Sequence, residues 1–191
     1  LAPSPLYLSE GPTSAIDAAI NVPSRGTVRA KVVFVDFPDA PGTADPATLA
    51  ADLAIGGPKW LRTTSYGAFD LQLSAHPQWL RMPNASTAYG FPGVSYDVHK
   101  RYRADAFAAA DPVVDFSQTD LVYIMAPPSA AIPQSPTFRG LPGAFVLDGR
   151  DMGRVVTFGQ DSYKFRVPIV VHETGHLLGL PDVYAHSGVA Y

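Results

Sequence analysis

The 191 residues carry 17 acidic and 14 basic side chains, a net charge of −3, and are 47% hydrophobic and only 16% charged. Charge so thin and evenly spread excludes the concentrated basic face that nucleic-acid binding requires, and the longest apolar runs, such as residues 121–128, fall far short of the roughly 20 residues of a membrane-spanning helix. The chain has no cysteine, so disulfides, thiolate metal sites and cysteine nucleophiles are excluded, and any transition-metal site must be built from His and carboxylates.

Residues 1–30 are rich in Pro, Ser and Ala and lack periodicity, and read as an irregular leader. The chain opens at Leu1 without an initiator Met, as a processed product would. Residues 31–191 read as one domain. Within it, residues 31–37 (KVVFVDF) are β-branched and aromatic enough for a buried strand. A helix is predicted from Asp45, its N-cap, and Pro46, its first residue, to Ile55, with Gly56, Gly57 and Pro58 ending it.

Apolar residues alternate with polar ones over 69–74, which predicts a strand with one face on the core. Val98, Tyr102, Ala106 and Ala109 recur at helical spacing within 95–110, before Asp111 and Pro112 break the pattern. Residues 121–126 read as a second buried strand, and 127–142, with five prolines, as a long loop. Short strands are expected at 144–147 and 154–158, followed by a final helix. Strands and helices mixed in this order predict an α/β fold with a twisted, mixed sheet.

Chemistry concentrates in residues 167–184, VPIVVHETGHLLGLPDVY. Pro168 suits the first turn of a helix, and Val170 with Leu177 marks the face turned to the sheet. His172 and His176, four residues apart, share another face and can hold one metal ion, while Glu173 lies displaced around the helix as a base rather than a ligand. Gly179 is placed to end the helix in a left-handed conformation, and Pro181 prevents its continuation. That turn can return Asp182 to the third corner of the site. Two imidazoles and one carboxylate leave a fourth position open, the ligand count of a catalytic zinc. His186 is an alternative third ligand. His76, beside a proline, and His99, in a Lys/Arg-rich stretch, read as solvated or structural.

The segment HETGHLLGLPDVY resembles the metzincin clan of zinc peptidases, and most closely its immune inhibitor A-like family. VVFVDFPD at 32–39 and WLRTTSYGAFDLQL at 60–73 are similar to that family's first strand and Ser-Tyr-Gly segment, and Trp79 and Tyr89 stand in similar surroundings. The resemblance implies a metzincin-like sheet with backing helices and an active-site helix, and a secreted zinc endopeptidase. Its substrates would be proteins or peptides, hydrolysed by water that the metal activates, with Glu173 as general base and acid.

It further implies a substrate peptide paired with an exposed sheet edge, placed here on residues 154–158, and allows Tyr184 to approach the metal or the oxyanion. Metzincins carry a Met-turn and a C-terminal lobe beyond the third ligand, yet Met82, Met125 and Met152 all precede the motif. The chain is therefore expected to be truncated before the Met-turn, with a downstream fragment of the same protein as a partner. Calcium is a second candidate ion, with Asp36, Asp39, Asp45, Asp148 and Asp151 as candidate ligands set against a reading as solvated turn carboxylates. The competing function is a non-catalytic zinc-binding or protein-interaction module that keeps the fold. The intact Glu173 favours the enzyme.

Overall fold

The computed structural model describes residues 19–90 and 96–182. Its elements run β1 (Gly26–Asp36), α1 (Pro46–Thr64), β2 (Phe69–Arg81), a 3₁₀ turn (Ser86–Tyr89), α2 (Tyr96–Ala110), β3 (Leu121–Met125), β4 (Thr137–Arg139), the hairpin β5 (Val146–Leu147) and β6 (Arg150–Asp151), β7 (Arg154–Phe158), α3 (Gln160–Phe165) and α4 (Val167–Leu177). Five strands form one sheet in the order β2-β1-β3-β7-β4, parallel throughout except for the antiparallel edge strand β4. The protein is thus a mixed α/β fold with a mostly parallel sheet and backing helices.

Strand alternation sorts the core into two layers. Val32 and Phe34 of β1, Leu121 and Tyr123 of β3, and Val156 of β7 face α1 and α4, where they pack with Leu53, Leu61, Val170 and Leu177. Val33 and Val35, Val122 and Ile124, and Val155 face the other way, against Tyr102, Ala106 and Phe107 of α2. Every residue of β3 is buried. A continuous apolar run is what a strand covered on both faces needs.

Several boundaries depart from the sequence expectation, each for a packing reason. Helix α1 begins where predicted, with the Asp45 side chain accepting from the Ala47 and Thr48 amides, but it continues through Gly56, Gly57 and Pro58 to Thr64. The glycines are contact points rather than breakers. A Cβ on Gly56 would lie 2.0 Å from a Val167 methyl of α4, and one on Gly57 2.6 Å from a Val170 methyl. Pro58 forfeits one helical hydrogen bond, which burial of Leu53 and Leu61 on the same helix offsets at roughly 2 kcal/mol each.

Strand β2 runs past Ser74 to Arg81 and carries Pro77 within it. It is the sheet's other edge, and its register against β1 shifts where Val32 pairs with Ala75 and Phe34 with Trp79. A proline is tolerated at such an edge irregularity, because no ladder bond is required of its nitrogen. The Pro-rich segment 127–142, expected to be loop throughout, contains β4. Strand β7 forms where predicted, but it lies between β3 and β4. The expectation that residues 154–158 offer an open edge is therefore wrong, and that position belongs to β4.

Candidate metal centre and its buried glutamate

Helix α4 begins with Pro168 in its first turn and buries Val170, Thr174 and Leu177. Its roll about its own axis is fixed by a polar contact as well as by apolar ones. The Thr174 hydroxyl donates to the Val170 carbonyl at 2.5 Å and so accepts from the Tyr123 hydroxyl at 2.6 Å, with both residues fully buried. This bond ties the back of the helix to the central strand β3 and leaves His172 and His176 on the opposite side.

The helix ends as its sequence dictates. Gly179 adopts φ 88°, its amide donates to the His176 carbonyl, and the Leu180 amide donates to the Gly175 carbonyl. This is the Schellman arrangement, in which a left-handed residue lets the chain reverse and satisfy the last helical carbonyls. The reversal has two consequences. The Leu180 carbonyl, which can only accept, takes a hydrogen bond from His176 Nδ1 at 2.8 Å, which leaves Nε2 facing the site. Asp182 is also brought back beside the two imidazoles.

His172 Nε2 and His176 Nε2 lie 3.2 Å apart, and Asp182 Oδ1 lies 3.2 Å from the first and 3.3 Å from the second. Ligand atoms at the corners of a tetrahedron with metal bonds of about 2.0–2.1 Å are about 3.3–3.4 Å apart. Asp182 Oδ1 is buried and accepts no hydrogen bond from the described residues. A shielded carboxylate oxygen aimed at ring nitrogens is costly unless a cation neutralises it. His172, His176 and Asp182 thus form a group able to hold a metal ion, with a donor set that several divalent transition metals accept. Burial, followed by the neighbouring His176, holds the His172 imidazole below its ordinary value, with Asp182 opposing.

Glu173 stands beside this triangle, its Oε1 3.8 Å from His172 Nε2. Its side chain turns toward β4, where the Thr137 hydroxyl meets Oε2 at 2.6 Å. Burial is the main influence that pushes its carboxyl up to about 8, and the Thr137 hydrogen bond opposes the rise.

No protein-family model and no curated protein matches the chain.

Tyr184 and His186 lie outside the described residues. The candidate calcium ligands do not converge. Asp36 is held by Arg81 and the Gly42 amide, Asp39 by Ser86, Asp45 caps α1, Asp148 accepts from the Phe116 amide, and Asp151 accepts from Gly143 and Gly153. Among the described residues, His172, His176 and Asp182 are the one metal-competent group. Sequence reasoning missed Thr137, Tyr123 and Thr174. Nothing in a Pro-rich stretch marks Thr137, because its role depends on a strand pairing that brings it across 36 residues to Glu173.

Among the described residues, two cavities border α4. One of about 180 Å³ lies beside the imidazoles, lined by Trp60, Val171 and Leu180 among others. A larger one of about 410 Å³ lies behind the helix, between α1 and α3, and includes none of the candidate site residues. Among the described residues, no helix is long and apolar enough to cross a membrane.

Proposed function

We propose that this protein is a secreted zinc-dependent endopeptidase of metzincin type, similar to the immune inhibitor A-like family. The observation that carries the reading is the near-equilateral triangle of His172 Nε2, His176 Nε2 and Asp182 Oδ1 with the buried carboxyl of Glu173 at its side. These three residues would hold the zinc, which supplies Lewis acidity to a water molecule and to a carbonyl oxygen. Among the described residues, Glu173 is the carboxyl that stands beside the triangle without being part of it, and in its ionised form it is the base. It accepts the proton of the attacking water and returns it to the leaving amine.

The substrate strand has a place to lie. The Thr157 amide donates to the Pro136 carbonyl and the Gly140 amide to the Gly153 carbonyl, so even-numbered residues of this stretch face β7. By the alternation of an antiparallel ladder, Thr137 and Arg139 turn their backbone groups away from it. Among the described residues no strand pairs with that side of β4, and an extended peptide can add there.

Metal analysis should find about one zinc per chain, and hydrolysis of casein or a quenched peptide should stop on chelation and return with zinc. Glu173→Ala should keep the metal and lower turnover by about 10²–10⁴-fold, the usual contribution of a general base. A chain that takes up no metal sinks the proposal. Metal uptake without turnover in the unmutated protein would favour the non-catalytic module instead.

A further inference from the structure

Glu173 is the buried acid of the site, and a buried carboxyl with rotamer freedom is a poor base unless something fixes it. Its own helix does not do this. The contact comes from the sheet edge, where the Thr137 hydroxyl lies 2.6 Å from Glu173 Oε2 and 2.9 Å from the Glu173 backbone carbonyl. With the Glu173 carboxyl ionised, as a base must be, both of these partners are acceptors and Thr137 is the donor. Its one proton is shared between the side-chain and main-chain oxygens of the glutamate, so the contact reaches both ends of the residue. Being β-branched, Thr137 has few χ1 choices on a strand, so the hydroxyl is itself held in place.

Thr137 is also one of the two β4 residues whose backbone groups point away from β7. The strand position that would pair with a substrate peptide and the side chain that holds the base therefore belong to the same residue. We infer that Thr137 is a positioning residue: it locks the Glu173 carboxylate to the edge strand, so that the base and a peptide bound along β4 share one reference frame. The inference rests on the peptidase reading for its kinetic consequence and on geometry alone for the lock.

The test compares Thr137→Val, which keeps shape and branching but removes the donor, with Thr137→Ser, which keeps the donor. Crystal structures of the two zinc-loaded variants, with metal content and thermal unfolding as controls, should show the Glu173 carboxylate displaced in T137V and retained in T137S. In peptide hydrolysis, T137V should lower kcat by about 10–100-fold, the usual effect of removing an orienting partner, with KM little changed. T137S should recover most of the rate.

A Glu173 carboxylate that stays in place in T137V overturns the inference, even if the unmutated protein hydrolyses nothing. So does a T137V kcat equal to that of the parent, or a T137S variant as slow as T137V. Absence of chelator-sensitive hydrolysis in the parent, with the carboxylate displaced as expected, would sink the peptidase reading and leave the lock standing.

Discussion

Two helices on opposite faces of the same sheet carry histidine, and the contrast between them separates an imidazole paired inside the core from two that are grouped with a carboxylate. On α2, His99 is fully buried, meets Phe138 edge-on, and has Nε2 2.9 Å from the Thr157 hydroxyl. That hydroxyl donates to the Pro136 carbonyl, so it accepts from His99. The ring is a neutral donor inside the core, and burial, with Arg103 adding to it, depresses its pKa to about 3. On α4, His172 and His176 point ring nitrogens at each other and at a carboxylate oxygen. The first ring is paired with a hydroxyl of the core. The second arrangement sets two ring nitrogens and a carboxylate oxygen at a spacing that could hold a metal ion. Strand β4 and its flank serve both centres, with Pro136 and Phe138 on the side of His99 and Thr137 on the side of Glu173.

The sharpest way to break this comparison is by metal content. His176→Ala should reduce bound zinc after dialysis from about one per chain to near zero, whereas His99→Gln should leave it unchanged in protein that remains folded. Zinc lost equally from both variants would mean that the two imidazoles do not differ in kind.

A smaller effect concerns pH. The folded pKa of His99, about 3, lies below the ordinary value of 6.5, so the unfolded chain takes up this proton first. The stability that neutral His99 secures is therefore complete above about pH 6.5 and is lost as pH falls from there toward 3. Urea unfolding across that window should show a decline on the order of a few kcal/mol, reduced in His99→Gln. An identical slope in both proteins would assign the decline to other groups.

The smallest effect expected is that of Thr157→Val, which strips His99 of its acceptor. It should lower unfolding free energy by about 1–3 kcal/mol, the price of one buried unsatisfied group, with zinc content unaltered.

Much of the site was legible in the sequence because it is local. A helix of 3.6 residues per turn places His172 and His176 together, and Gly179 followed by Pro181 announces the reversal that returns Asp182, all within eleven residues. The buried strands were legible too, since apolar runs such as residues 121–125 have few other uses. The breakers misled. Gly56, Gly57 and Pro58 signal a helix end by local propensity, yet α1 runs through them because α4 crosses so closely that no Cβ fits. Burial of two helix faces outweighs a propensity difference of about 1 kcal/mol per glycine.

What the sequence determined by itself is the spacing of two imidazoles, a carboxylate and an adjacent glutamate along one short segment, since helical pitch and a left-handed turn are local properties of the chain. Which strand forms the sheet edge, that Tyr123 sets the roll of α4, and that Thr137 reaches Glu173 were decided only by the tertiary structure. Those contacts join residues far apart in the chain, and their energy comes from a strand order and a packing that no local window encodes.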